Sequence, residues 1–212
     1  AATHDDFAAW QRMDRDGMAD CEACERDSQC ERWSLAGEHQ RTIDTASEIL
    51  AGRLTCAEIP HRTDASLLRP FTLRGQVERA QRSHARGYRL VRGNSKFVSQ
   101  WASHMAWLMQ QGNHRRAVSL LERHLPQVLA STVPWDQFCF YLASALMLER
   151  LKQRPRKLRL PAEFELHSPD DRYELPPLVE WFRRKSDGLA AQFDARNGND
   201  YCKRRMHQEY VY

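Results

Sequence analysis

A group of cysteines near the start of the chain, together with one histidine, has the residue types and spacing of a metal site. Cys21 and Cys24 form a C-x-x-C pair, Cys56 follows 32 residues later, and His61 lies five residues beyond it. Thiolates and imidazoles are the ligands of structural zinc, which is held tetrahedrally by four protein side chains. The sequence therefore predicts a Cys3His zinc site, with Cys30 as a rival for the fourth position.

The same cysteines have two other interpretations. A single C-x-x-C pair without a second one at standard spacing also occurs among reduced thiols, which pack as small apolar side chains. It is also the arrangement of a redox pair or a disulfide. Cys139, on an apolar stripe, and Cys202, near the end of the chain, are not expected to belong to any site.

A repeated sequence pattern around a glycine predicts the helices that would hold these residues in place. Gly37, Gly75 and Gly112 each lie in a short turn, precede a small residue by five positions and lead into a helical run. The copies lie 38 and 37 residues apart, and a fixed period of this length is typical of stacked helical hairpins. We expect an all-α fold, an α-solenoid of antiparallel helix hairpins with about eight to ten helices.

Turn residues and apolar spacing place the individual elements. The predicted helices span residues 7–13, 28–36, 39–51, 61–73, 76–92, 95–111, 114–129 and 177–195, and a further helix is predicted to begin at residue 134. Pro70 is expected to kink the helix that contains it. Antiparallel pairing would bring the outer ends of the second and third helices together, and with them Cys24 and Cys56.

The same signals divide the chain into four segments. Residues 1–27 form an N-terminal helix and cysteine-rich cap, residues 28–150 the helical hairpins, residues 151–176 a basic, proline-rich connector, and residues 177–212 a C-terminal helix and tail packed on the same domain.

The middle of the chain, roughly residues 28–150, resembles tetratricopeptide repeats. Gly75 and Gly112 match that family's inter-helix glycine, Ala80 and Ala117 its small residue in the second helix, and Trp101 a position that favours tryptophan. The whole chain is also similar to bacterial tetratricopeptide-like proteins with an Asp-Cys-x-x-Cys segment and an Ala-Gly-x-Leu-x-Cys segment. This resemblance implies a fold and leaves the function open.

In stacked helical hairpins the first helix of each pair lines a concave groove. In the register of the family, the groove positions include Asp27, Glu31, Arg62, Arg69, Thr72, Ser99 and Met109. The guanidinium groups of Arg62 and Arg69 would fit a carboxylate or an acidic peptide, so the expected partner is another protein or a peptide segment. The alternative is that these side chains form an ordinary solvated face.

A basic run favours a second function. It contains Arg150, Lys152, Arg154, Arg156, Lys157 and Arg159. Such a run would attract phosphate, so the alternative is a regulatory module associated with nucleic acid. Against this, no aromatic residues are interleaved to stack on bases, and the net charge of +4 is modest for a nucleic-acid binder.

Other classes of protein are not indicated. No apolar run approaches the roughly 18 residues that span a membrane. Residues 1–10 lack the basic segment and apolar core of a signal peptide, so a cytoplasmic location is expected. No glycine-rich phosphate loop, His-Glu-x-x-His helix or nucleophile elbow is present. An enzyme would therefore need a site of unrecognised type.

Overall fold

The fold is all-α, as expected, and a single two-stranded ladder interrupts the helices of the described residues. The structure, a computed structural model, describes residues 2–152 and 154–208, with the side chains of residues 6–152 and 154–204. No helix in that part of the chain combines the length and apolar character needed to cross a membrane.

The elements follow one another in this order: α1 (Ala2–Trp10), α2 (Glu22–Leu35), α3 (His39–Thr45), α4 (Ser47–Leu50), α5 (His61–Ser66), α6 (Leu68–Leu73), α7 (Val77–Val91), the 3-10 helix η1 (Ser95–Phe97), α8 (Val98–Gln110), α9 (His114–Leu129), α10 (Pro134–Glu149), β1 (Arg156–Lys157), β2 (Arg172–Tyr173), α11 (Leu175–Asn197) and α12 (Tyr201–Gln208).

The repeated glycine phrase is a helix-ending turn used three times. Gly37, Gly75 and Gly112 have φ angles of +78°, +68° and +71°, in the left-handed region where a side chain is strained. After each glycine, the next backbone N–H donates to the carbonyl five residues earlier, at 2.8–2.9 Å. This is the Schellman motif, and it ends α2, α6 and α8 before the next helix begins.

Helix α2 begins six residues earlier than predicted. The cap is Cys21 rather than Ser28, because the Cys21 side chain accepts the backbone N–H of Cys24. Glu22 and Glu25 lie in the first turn, where carboxylates interact favourably with the helix dipole. The C-x-x-C pair therefore lies at the start of a helix and not in a loop.

Two other predicted helices are each divided in two, so the structure has more helical segments than expected. The helix predicted over residues 39–51 is interrupted at Ala46, between α3 and α4. The one predicted over residues 61–73 is interrupted at Leu67, between α5 and α6. Pro70 lies in the first turn of α6 and has no N–H to donate to the carbonyl of Ser66, which explains a break one turn before it.

The proline-rich connector is part of the core rather than a solvated linker. Its strands β1 and β2 are antiparallel, with Arg156 opposite Tyr173. Leu158, Leu160 and Phe164 are buried in the main apolar cluster. The two leucines alternate with basic residues, so one side of this extended segment packs inward while the other faces solvent.

Successive helices pack as pairs: α2 with α3, α5 and α6 with α7, α8 with α9, and α10 with α11. The first members also contact one another in chain order, α2 with α5, α5 with α8, and α8 with α10. One apolar cluster runs through the pairs. At its centre the buried indole of Trp101 donates to the carbonyl of Val91 at 2.9 Å, so its polar atom is satisfied.

Candidate metal centre and binding cleft

Three of the predicted zinc ligands converge at the N-terminal end of the molecule. The Sγ atoms of Cys21, Cys24 and Cys56, called here the cysteine cluster, lie within 4.8 Å of one another, and those of Cys24 and Cys56 are 3.5 Å apart. Zn–S bonds of about 2.3 Å in a tetrahedron place neighbouring sulfur atoms about 3.8 Å apart. The spacing of the three thiols is therefore that of ligands to one metal ion.

Backbone N–H groups position two of these three sulfur atoms. The backbone N–H of Cys24 points to the Sγ atom of Cys21 at 3.3 Å, and that of Glu58 points to the Sγ atom of Cys56 at 3.5 Å. The loop that carries Cys56 is anchored by Ile59, which is fully buried against Ala23 of α2. Helix α2 and the loop after α4 are thus held together beneath the cluster.

The surroundings shift the pKa values of Cys21 and Cys24 in opposite directions. The backbone N–H of Cys24 lowers the pKa of the exposed Cys21 thiol below its ordinary value. Hydrogen bonding to Cys21, together with burial and the neighbouring Cys56, raises the pKa of Cys24 to about 12. None of the six cysteines, all of which lie in the described part of the chain, forms a disulfide.

The predicted fourth ligands lie outside this group. Cys30 is buried in the main core, and burial raises the pKa of its thiol to about 12. Because α2 begins at Glu22, Cys30 lies more than two turns along the helix, about 12 Å of rise from its start. The His61 ring is stacked on Phe97, with 5.2 Å between ring centroids.

A cleft of about 200 Å³ lies between the first helices of the pairs. Five of the residues that line it come from positions assigned to the groove by the repeat register: Asp27 and Glu31 from α2, Arg62 from α5, Arg69 from α6, and Ser99 from α8. The cleft therefore presents two carboxylates and two guanidinium groups, along with several hydroxyls.

One of the cations in the cleft is held by a buried carboxylate. Asp27 is 4% exposed, accepts a hydrogen bond from Thr63 at 2.6 Å and lies 3.5 Å from the guanidinium of Arg62. Burial raises the pKa of the Asp27 carboxyl, against the opposing effects of Thr63 and Arg62. Burial also works against the charge of Arg62, but the carboxylates of Asp27, Glu31 and Glu58 outweigh it and raise its pKa.

Two predicted groove residues do not line the cleft. The Thr72 hydroxyl donates to the carbonyl of Leu68 at 2.7 Å and accepts from the indole of Trp107 at 3.0 Å. Met109 is 3% exposed and belongs to the apolar core. Neither side chain faces the cleft, because Thr72 is hydrogen-bonded to Trp107 of α8 and Met109 is enclosed in the core.

Other lining residues were missed by the sequence analysis. They are Ser34, Leu35, Ala65, Ser66, Gln100, Ser103, Trp135 and Cys139. A signal for some of them was present, since Ser66 follows Arg62 by one helical turn and Ser103 follows Ser99 by one turn. Trp135 comes from α10, whose approach to α2 across the cleft is a tertiary feature that no local pattern encodes.

The basic run borders α9. Arg150, Lys152, Arg154, Lys157 and Arg159 are exposed and Arg156 is half-buried in β1. The backbone N–H of Arg159 donates to Glu122 of α9 at 2.9 Å, which fixes the position of this segment beside that helix.

Three further ligand-capable side chains are buried between α7, α8 and α9. His84, His104 and His124, called here the histidine core, are 4%, 0% and 0% exposed. The Nδ1 atoms of His84 and His104 are hydrogen-bonded at 3.0 Å, and His124 Nε2 is hydrogen-bonded to the Tyr88 hydroxyl at 3.0 Å. The indole of Trp101 stacks on His124, with ring centroids 3.9 Å apart.

These rings are neutral and closely enclosed. Burial lowers the pKa of His84 and of His124 to about 4, and that of His104 well below its usual range. Gly87 makes the enclosure possible, since a Cβ atom there would lie 2.6 Å from the Asp64 Cβ atom and 3.3 Å from the His104 ring. Within the described residues, the histidine core does not form a group of three converging ligand atoms.

Comparison with known protein families, with curated proteins and with solved structures finds no match to this chain.

Proposed function

We propose that this protein is a helical-repeat scaffold of the tetratricopeptide type that binds a peptide segment of another protein, with a structural zinc ion at its N-terminal end. The observation that carries the proposal is the cleft, which is lined by the first helices of successive pairs. The helix pairs repeat one glycine turn and stack in chain order, which supports an α-solenoid.

The chemistry of the cleft favours a peptide. Its volume of about 200 Å³ is below the roughly 300–1,000 Å³ of pockets that enclose a small molecule, so it suits one or two side chains of a longer segment. Arg69 offers a guanidinium fork to a carboxylate, and Glu31 offers a carboxylate to a cationic side chain. Ser99 and Ser103 supply hydroxyls for the peptide backbone.

The cysteine cluster supports the zinc part of the proposal. Cys21, Cys24 and Cys56 supply three of the four ligands of a tetrahedral ion. The first two lie at the start of α2 and the third lies in the loop after α4. His61 completes the set if its ring leaves Phe97. Such an ion would tie the start of α2 to the loop after α4, where the apolar packing consists of a small separate cluster.

Selection from a phage-displayed library of random peptides tests the binding function. We expect enriched peptides to carry an acidic residue and to lose binding to the Arg69→Glu variant by tenfold or more, the usual cost of breaking a charge-assisted contact. Arg74→Glu is the matched control, because Arg74 is an exposed arginine of the same segment that does not line the cleft. Equal binding to both variants and the wild type would remove the cleft as the binding site.

A further inference from the structure

The positive charge of the chain is concentrated in one third of it. Residues 65–135 contain eleven Lys and Arg residues and only two Asp and Glu residues, Glu78 and Glu122. The whole chain has a net charge of +4, so the remainder is net acidic. Helices α7 and α9 carry most of these cations, and both are second members of their pairs, packed against α8 on one side.

Five exposed arginines on these two helices, together with exposed Arg92 at the C-terminal cap of α7, form what we call the arginine face: Arg82, Arg89, Arg92, Arg115, Arg116 and Arg123. No ion pair to any of them occurs within the described residues. Unpaired, solvent-facing cations at this density repel one another, so the face is an electrostatic cost to the free protein that an anionic partner would relieve.

The two helices are joined where the arginines lie. The Tyr88 hydroxyl of α7 is hydrogen-bonded to His124 of α9 at 3.0 Å, and Arg92, Arg116 and Arg123 all act electrostatically on Tyr88. Arg92, Arg116 and Arg123 therefore lie around the contact between α7 and α9 and form one patch across it, and Arg82 and Arg89, seven residues apart, share one side of α7. The Glu122 carboxylate accepts the Arg159 backbone N–H, which brings the basic connector to the edge of the same patch.

The composition of the face selects the partner. Arginine presents a planar fork that matches phosphate oxygens, and ten of the eleven cations in residues 65–135 are arginines. The apolar sides of α7 and α9 are largely buried in the core, which leaves little apolar surface to insert into a lipid bilayer. The exposed large apolar side chains on these helices are Val77 and Leu90, so no aromatic platform is present to stack on unpaired bases.

We propose that the arginine face binds a nucleic-acid duplex through its phosphates, without reading the base sequence. The 16 residues of α9 span about 24 Å, which corresponds to about seven base pairs of duplex at 3.4 Å each. This surface lies on the second helices of the pairs, whereas the proposed peptide cleft lies between the first helices, so the two functions are independent and separately testable.

Fluorescence anisotropy with a labelled DNA duplex of about 20 base pairs and random sequence tests this proposal, starting at about 50 mM salt. Six phosphate contacts predict that log K falls with log salt with a slope of about −5. The double variant Arg116→Gln/Arg123→Gln should bind more weakly by tenfold or more and reduce the slope by about two. The double variant Arg82→Gln/Arg89→Gln, on the other helix, should give a similar reduction.

The matched control removes the same charge elsewhere. Arg12→Gln/Arg196→Gln changes two exposed arginines outside the face and should leave both affinity and slope close to wild type. Unchanged circular dichroism and thermal midpoints verify that the variants fold. The proposal is overturned if the control weakens binding as much as the face variants, if the duplex does not bind at low salt, or if vesicles of phosphatidylcholine and phosphatidylserine compete with the duplex equally well at the same phosphate concentration.

Discussion

The cysteine cluster and the histidine core hold the same kind of group, a potential metal ligand, in opposite surroundings. In the cysteine cluster three sulfur atoms converge near the surface, and backbone N–H groups point to two of them. In the histidine core the rings are enclosed by aromatic side chains and bonded to one another or to Tyr88. Residue type alone therefore does not identify a metal site. A side chain can bind a metal ion only where its ligand atom converges with others and can be reached from solvent.

Metal removal should affect the two regions most differently. Protein purified without chelator is expected to contain about one zinc ion per chain, and Cys56→Ser should lose it, because two thiolates remain and structural zinc is held by four ligands. The associated loss of stability should amount to several kcal/mol, since metal binding contributes directly to folding. Metal analysis and thermal unfolding measure both.

The control for the metal experiment is a cysteine in the core. Cys30→Ala removes a thiol from the same helix but not from the cluster, so it should keep its zinc. A His61→Ala variant tests whether the imidazole is the fourth ligand. We expect this variant to bind zinc more weakly than the wild type. Less than roughly a tenth of an equivalent of zinc in the wild-type protein would mean that the cluster is a set of reduced thiols.

Acid should affect the histidine core next most strongly. The pKa values of His84 and His124 are lowered to about 4, whereas unfolded histidine has a pKa of about 6.5. Between these values the unfolded chain binds more protons than the folded one, so stability falls as the pH drops through this window. For the two rings together the expected loss is several kcal/mol, measured as the urea unfolding free energy at pH 7 and pH 4.5.

A histidine variant distinguishes the contribution of the histidines to the pH dependence of stability from that of the carboxylates. His124→Phe keeps a ring against Trp101 but removes one titrating group, so its stability should depend less steeply on pH than that of the wild type. Asp27 acts in the opposite direction, because its raised pKa makes protonation favourable to the folded state. An unchanged pH dependence in His124→Phe would show that this ring does not control acid unfolding.

Local sequence signals predicted the helices best where a cap, a glycine and an apolar stripe agree. Helix α9 begins at His114 and ends at Leu129 as predicted, because Gly112 and Asn113 define its start. The start of α2 was predicted wrongly because serine is a common helix cap and cysteine is not. The true cap depends on an Sγ atom that accepts the Cys24 N–H.

The candidate site was predictable in its composition but not in its contacts. The C-x-x-C spacing and the helix pairing were enough to bring Cys56 to Cys21 and Cys24. The partner of Arg62 was not predictable, since Asp27 lies 35 residues away and is buried by packing between α2 and α5. The local excess of arginines is present in the sequence, but the whole-chain net charge of +4 conceals it because acidic regions offset it.

Glycine substitutions should give the smallest effect and measure how tightly the histidine core is enclosed. Gly87→Ala places a methyl group 2.6 Å from the Asp64 Cβ atom, so one of the helices must shift, at an expected cost of about 1–3 kcal/mol in unfolding free energy. Gly188→Ala in α11 is the matched control, because nothing lies within 4 Å of its Cβ position. Alanine there should stabilise the protein by up to about 1 kcal/mol. If alanine raised the unfolding free energy at both positions, α5, α7 and α8 could separate at little cost. The histidines would then be held by their hydrogen bonds rather than by close packing.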